Sequence, residues 1–394
     1  MLGSRSSMLL GLPLVLCLAL VGCSGDDTST SQGSTTSGTS SGTGSSTSSE
    51  STTSGASASV GSGGETGTTS GGATTSDATS AGTTSGDPTT DATTGTSGDP
   101  TTGGVDTPPP DQAGPCEYAE IKASFKSAKT GNTVPVRALY PVSGPYEAPY
   151  PVVTVAHGFQ IPANQYDNYV ERLASFCFVA VNVDFPAGFV ANHVANAQDV
   201  AATLDWVAGE ATLSKIADVD NAGATGHSLG GKVSVLAAIL EPRFRASITL
   251  DPVDTASFCD PKLCPDVTDM LPLAIPLGFV GETLDAMGGF MPCAPADANY
   301  KTFYTAATSP ALEVTALGAN HVSFVDDVGT CGFACGACQM ASADNQTVNA
   351  LSQSFVAAFY QRHLRGEVAY DAWLTGAEAQ AKFVATKRAT IQSK

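Results

Sequence analysis

Ala222-Gly223-Ala224-Thr225-Gly226-His227-Ser228-Leu229-Gly230-Gly231-Lys232 is the stretch on which the fold turns. Small, β-prone residues lead up to Gly226, and from Leu229 to Leu240 the apolar spacing predicts a helix. The pattern Gly226-x-Ser228-x-Gly230 sits at the junction, where glycines two before and two after a serine let the chain turn sharply without Cβ clashes. A serine on such a strand–turn–helix elbow is presented at the carboxyl end of a sheet, the edge at which open α/β sheets bind ligands. Ser228 is therefore the candidate nucleophile.

Working outward, short β-prone runs lie at Val134 to Tyr140, Val152 to Ala156, Phe178 to Val183, Ala246 to Leu250, Leu277 to Val280 and Leu312 to Ala316. Most are bounded by Pro, Gly or Asp and read as strands buried on both faces. Helical patterns fall between or after them at Asn164 to Phe176, Val194 to Val207, and the stripe Leu351, Phe355, Val356, Phe359, Tyr360 and Leu364. Alternating strand and helix predicts an α/β fold: a mostly parallel central sheet with helices on both faces, joined by right-handed crossovers.

A serine hydroxyl is a weak nucleophile until a base takes its proton. Of the five histidines, His157 and His227 sit inside glycine-rich motifs, His193 begins a helix, and His363 falls in the last turns of a C-terminal helix where a solvated residue is expected. His321, in Gly318-Ala319-Asn320-His321-Val322 just after the Leu312 to Ala316 run, is the candidate base. The acid that orients its imidazole has four candidates. Asp251 and Asp254 follow one strand, Glu282 and Asp285 the next, and position in the fold favours the second pair. Acyl transfer also needs donors aimed at a developing oxyanion. His157-Gly158-Phe159 ends an earlier strand, so the Phe159 N–H, together with the Leu229 N–H, is the candidate oxyanion hole.

Taken in order, Ala156-His157-Gly158-Phe159, Gly226 to Lys232, Leu250-Asp251-Pro252-Val253-Asp254, Pro292-Cys293-Ala294-Pro295 with Asn299, and His321 followed by Asp326-Asp327 resemble the chlorophyllase family of α/β-hydrolases. They are similar also to that family's relatives among platelet-activating-factor acetylhydrolases, dienelactone-hydrolase-like esterases and bacterial polyester hydrolases. The likeness runs from about Pro151 to Gly366. It implies the α/β-hydrolase fold, with Ser228 as nucleophile, His321 as base and Asp251 as acid. The reaction it implies is carboxylic-ester hydrolysis through an acyl-enzyme, with no cofactor and no metal. Plant chlorophyllases look like Gly-His-Ser-Arg-Gly-Gly, whereas Leu229 replaces that arginine here, so the resemblance leaves the ester itself open.

The N-terminal region reads differently. One cation, Arg5, precedes an apolar run from Met8 to Leu20, which reads as an export signal over residues 1–22. Leu20-Val21-Gly22-Cys23 resembles the lipobox of bacterial lipoproteins, making Cys23 the expected lipidated residue and the outer membrane or cell surface the expected location. Residues 23–115 are Ser/Thr/Gly-rich, carry no Lys or Arg, and repeat Gly-Asp-Pro-Thr-Thr at Gly86 to Thr90 and Gly98 to Thr102. Such a tract has too little apolar surface to offset the entropy of folding, and as a disordered stalk it spans roughly 50 Å. Residues 116–394 remain for the catalytic domain.

Net charge is −19, and more than half of it comes from the stalk, so the domain is only moderately acidic. That argues against nucleic acid as a partner and against docking on anionic lipid; the resemblance implies a small or lipid-like ester as the partner. Cys116, Cys177, Cys259, Cys264, Cys293, Cys331, Cys335 and Cys338 are an even set, which in an exported domain reads as up to four disulfides. Two other readings compete with the enzyme: a catalytically idle hydrolase fold displayed as a binding module, and a metal or iron–sulfur protein using Cys331, Cys335 and Cys338. Residues around Phe185 to Asn192 and Met287 to Met291, placed after strands, are the expected pocket lining.

Overall fold

The runs read as strands all enter one nine-stranded sheet of order β1-β2-β4-β3-β5-β6-β7-β8-β9. The structure, a computed structural model, describes residues 107–394 except 189–191, 256–258 and 288–291, and the side chains of 333 and 334. The leader, Cys23 and the stalk as far as residue 106 lie outside the described residues. The strands are β1 (Glu117–Lys126), β2 (Thr133–Ser143), β3 (Tyr150–Ala156), β4 (Val179–Val183), β5 (Ala217–Gly226), β6 (Phe244–Leu250), β7 (Leu277–Gly281), β8 (Ala311–Ala316) and β9 (Ala389–Ser393). Pairings from β4 through β3, β5, β6 and β7 to β8 are parallel. Those of β1 with β2, β2 with β4 and β8 with β9 are antiparallel.

Helices cover both faces, which is why every residue of β3, β4, β7 and β8 is buried and their sequences are mainly apolar, interrupted by Thr154, Asn182, Glu313 and Thr315. On one face α1 (Asp167–Ser175) and α5 (Asn345–Leu364) pack Tyr169, Leu173, Phe355 and Phe359 on the sheet. On the other, α2 (His193–Gly209), α3 (Leu229–Leu240) and α4 (Tyr300–Ala306) contribute Val200, Leu204, Val233, Leu236 and Phe303. No helix among the described residues is long and apolar enough to cross a membrane.

The structure adds to the sequence reading at the edges. β1 alternates exposed and half-buried positions, the period-two pattern of an edge strand with one covered face. β9 closes the opposite edge. The final residues of the stalk are docked rather than loose: the Tyr370 hydroxyl donates to Pro108 O at 3.0 Å, Arg172 donates to the carbonyls of Pro110 and Gln112, and Lys382 pairs with Asp111 at 2.5 Å. His363 corrects an expectation. It is half-buried against the Phe359 ring, with centroids 4.5 Å apart, and burial, more than neighbouring Arg362, pulls its pKa down to about 4.

All eight described cysteines are paired: Cys116–Cys177, Cys259–Cys264, Cys293–Cys338 and Cys331–Cys335. The last three staple loops beyond the carboxyl ends of β6, β7 and β8, the end of the sheet at which Ser228 stands.

Candidate active site

Ser228 joins β5 to α3 with φ 56° and ψ −121°. A non-glycine residue in that region costs on the order of 1–3 kcal/mol, so the surroundings must hold it there. Ser228 N donates to Leu250 O at 3.0 Å, and its carbonyl accepts from Lys232 N at 3.1 Å and Val253 N at 3.3 Å. Gly226 and Gly230 are required for space rather than flexibility. A Cβ on Gly226 would collide with the Gly230 carbonyl, and one on Gly230 with the carbonyls of Ala156 and His157.

β8 ends at Ala316, and a short 3-10 turn, His321–Phe324, follows its exit loop. His321 Nε2 lies 2.8 Å from Ser228 Oγ, and its Nδ1 lies 2.6 Å from Asp251 Oδ2. Asp251 is fully buried at the end of β6, with its backbone N–H donating to Val280 O at 2.6 Å. Burial pushes its pKa above the usual carboxylate value, while the His321 ring pulls it back. A carboxylate can only accept, so Nδ1 carries the hydrogen and Nε2 is left to accept from the Ser228 hydroxyl.

The other acidic candidates are engaged elsewhere. Asp254 pairs with Lys232 Nζ at 2.5 Å, both side chains buried, and accepts from Val267 N at 2.6 Å. Glu282 accepts from the backbone N–H groups of Leu284 and Asp285; burial, then the nearby charge of Asp251, raises its pKa to about 7. Asp285 reaches His321 at its backbone: Oδ2 accepts from His321 N at 2.7 Å and Oδ1 from Gln339 N at 2.9 Å.

Phe159 and Leu229 each lie three residues beyond a paired position, Ala156 on β3 and Gly226 on β5, so the sheet register brings their loops together. Phe159 has its side chain 38% exposed, and Leu229 opens α3 and is buried. Of the expected pocket lining, Phe185 is buried and stacked on His157 at 4.3 Å, and Asn192 caps α2 by accepting from Ala195 N at 2.9 Å. Met287 is 79% exposed. Residues 189–191 and 288–291 lie outside the described residues. In the sequence His227 is only part of the elbow, yet its ring lies against that of His321, with centroids 4.7 Å apart. Nothing in the sequence distinguished it, because its neighbours Tyr166 and His321 are remote in the chain.

Asp285, Cys293 and Cys338 bring ligand-type atoms within 4.8 Å of one another. The two sulfurs are bonded to each other, and those of Cys331 and Cys335 likewise, so none of the four is a thiolate able to hold a metal.

Strand order and the strand–turn–helix elbow are those of the α/β-hydrolase fold. The chain belongs to the chlorophyllase family, whose model matches residues 112–382, beyond both ends of the stretch in which motifs were legible. It is 27% identical over 291 residues to Chlorophyllase-1 of Arabidopsis thaliana, covering 68% of this chain and 89% of the relative. To Chlorophyllase-2 of the same plant it is 24% identical over 205 residues, covering 46% of this chain and 62% of that relative. Family membership supports a hydrolase of esterase type.

Proposed function

We propose that this protein is a serine carboxylic-ester hydrolase in which Ser228 is the nucleophile, His321 the general base and Asp251 the acid that orients it. The observation that carries this reading is the unbroken line Asp251 Oδ2, His321 Nδ1, His321 Nε2, Ser228 Oγ at 2.6 and 2.8 Å. Nε2 takes the hydroxyl proton as Oγ bonds to the ester carbonyl carbon, and the N–H groups of Phe159 and Leu229 receive the oxyanion. The alcohol leaves with the proton from Nε2. Water, deprotonated by the same nitrogen, then attacks the acyl-Ser228 ester; Ser228 Oγ leaves and takes that proton back from Nε2 as the acid is released.

The relatives' name points to a chlorophyll-type ester as one substrate to try. Leu229, in place of the arginine of the plant pattern, puts a neutral residue beside the nucleophile and favours simple apolar esters. We further propose export and lipid anchorage at Cys23, supported by the apolar leader, the Leu20-Val21-Gly22-Cys23 sequence and a disulfide content suited to an oxidising compartment. The test is hydrolysis of p-nitrophenyl esters of increasing acyl length by the purified protein beside Ser228→Ala. Activity lost in the variant supports the reading. A folded wild-type protein that hydrolyses none of them, nor a chlorophyll ester, faster than the variant would return the chain to the binding-module reading.

A further inference from the structure

His227 immediately precedes the proposed nucleophile, and its ring lies in a buried cluster with the rings of Tyr166, His321 and Phe324. Its Nε2 lies 2.7 Å from the carbonyl oxygen of His321, and its Nδ1 lies 2.7 Å from the hydroxyl of Tyr166. That hydroxyl is also 3.2 Å from the backbone N–H of Gly158, beside Phe159. Both Tyr166 and His227 are fully buried.

The chemistry of these atoms leaves one arrangement. A carbonyl only accepts, so Nε2 of His227 carries a hydrogen. Burial, reinforced by the neighbouring His321, holds the pKa of His227 well below its ordinary value, so the ring is neutral and Nδ1 is an acceptor. Tyr166 must therefore donate to Nδ1, and burial raises its own pKa, keeping that proton in place. Its oxygen is then free to accept from Gly158 N–H. Three bonds in series thus run from the loop after β3 to the backbone of the base, each atom in the one role open to it. Asp285 grips the same residue from the other side, at its N–H.

We propose that Tyr166 and His227 are positioning residues that lock the oxyanion loop at Gly158-Phe159 and the base loop at His321 to each other. The proposal rests on the serine-hydrolase reading above. His321 is clamped at its backbone by Asp285 and His227, so its ring meets Asp251 and Ser228 without searching. The same line fixes the His157–Gly158 peptide, and His157 Nδ1, 2.8 Å from the Gly158 carbonyl oxygen, holds the next peptide, whose N–H is that of Phe159. Displacing a catalytic group by about an ångström costs on the order of 100-fold, so a lock of this kind acts on turnover more than on substrate affinity.

Tyr166→Phe removes one hydroxyl, leaving Gly158 N–H without an acceptor and His227 without its donor. We expect kcat to fall about 10- to 100-fold with KM changed by less than about threefold. Affinity for an alkylboronic acid, which adds to Ser228 and mimics the tetrahedral state, should fall in proportion to kcat/KM. His227→Gln retains one donor and one acceptor and should keep activity within about tenfold of wild type, whereas His227→Leu, which has neither, should lose about 100-fold or more. Thermal unfolding of each variant checks the fold, and the Gln/Leu pair decides the matter if Tyr166→Phe does not fold. The proposal is overturned if folded Tyr166→Phe and His227→Leu keep wild-type kcat and boronate affinity. It is equally overturned if His227→Gln and His227→Leu lose activity alike, in step with lost folded protein. Wild type and Ser228→Ala run beside them: equal rates for those two would instead strike the esterase reading beneath the proposal.

Discussion

Asp251 and His321, separated by 70 positions in the chain, meet at 2.6 Å between Oδ2 and Nδ1. Three other acidic side chains stand close in the fold, and Asp285 even bonds to the same histidine, at its backbone N–H. Only Asp251 touches the ring. Asp251→Asn keeps the shape but offers Nδ1 a group that no longer enforces its tautomer, and on the proposed mechanism kcat should fall about 10⁴-fold, as for the equivalent change in a Ser-His-Asp protease. Glu282→Gln should change kcat by less than about tenfold, because Glu282 makes its bonds to backbone N–H groups at the end of β7. Steady-state kinetics of the two variants with one p-nitrophenyl ester separates them. A larger loss in Glu282→Gln would transfer the acid's role to the residue after β7.

The loop after β3 gives a second contrast. The Phe159 side chain is 38% exposed while its backbone is the proposed donor, so Phe159→Ala should leave kcat nearly intact and act on KM for long acyl chains. Gly158→Ala adds one carbon that would sit 3.0 to 3.1 Å from Ile161 Cδ1, His227 Nδ1 and the Tyr166 hydroxyl. The loop must shift to admit it, and the loss expected is that of one oxyanion donor, about 100- to 1,000-fold in kcat. Comparable kcat values for the two variants would remove Phe159 N–H from the oxyanion hole.

How much of this was legible in the sequence depends on how local each signal is. The elbow could be read because Gly226, Ser228 and Gly230 are contiguous and their spacing has a steric cause. β3, β4, β7 and β8 could be read because burial on both faces leaves a short, mainly apolar run without the polar alternation of a half-exposed strand. β1 was missed: its alternation mixes Glu, Lys and Ser with half-buried Ile121, Ala123 and Phe125, the signature of an edge strand, and that is weak in a single sequence. Position in the fold favoured Glu282 and Asp285 as the acid, and only resemblance pointed to Asp251. Side-chain partnerships such as Lys232 with Asp254, or Tyr166 with His227, join residues that no periodicity connects.

Titration of buried groups should shape stability in opposite directions. Glu282 has a folded pKa of about 7 against an ordinary 4.5, owing first to burial and then to the charge of Asp251. The folded state thus holds a proton that the unfolded chain releases, and the resulting stability, full below pH 4.5, is lost as pH rises through 7. His363 runs the other way. Burial lowers it to about 4 from 6.5, so stability is lost as pH falls from 6.5 towards 4, while the unfolded chain takes up a proton the folded one refuses. Each proton is worth at most about 1.4 kcal/mol per pH unit across its window. Thermal unfolding from pH 4 to 9 should find Glu282→Gln gaining on wild type as pH rises and levelling above about 8. His363→Gln should gain as pH falls. A pH-independent difference for either variant would contradict the shift assigned to that group.

The disulfides should differ in worth according to the chain they close. Cys116–Cys177 spans 61 residues and Cys293–Cys338 spans 45, whereas Cys331–Cys335 spans 4. Loop-closure entropy assigns about 4 kcal/mol to each of the first two and about 2 kcal/mol to the third. Replacing each pair by serines and measuring denaturant unfolding should give that order. Activity should follow another. Gln339, next to Cys338, donates to Asp285 Oδ1 at 2.9 Å, and Asp285 in turn holds the N–H of His321. Loss of Cys293–Cys338 therefore frees a loop two hydrogen bonds from His321, the proposed base, while Cys116–Cys177 lies at the start of β1, far along the chain from Ser228 and His321. In conditions where both variants are folded, the 293/338 pair should lower kcat by about tenfold and the 116/177 pair should leave it near wild type. Equal kcat in the two would mean that the hold of Asp285 on His321 does not depend on the disulfide.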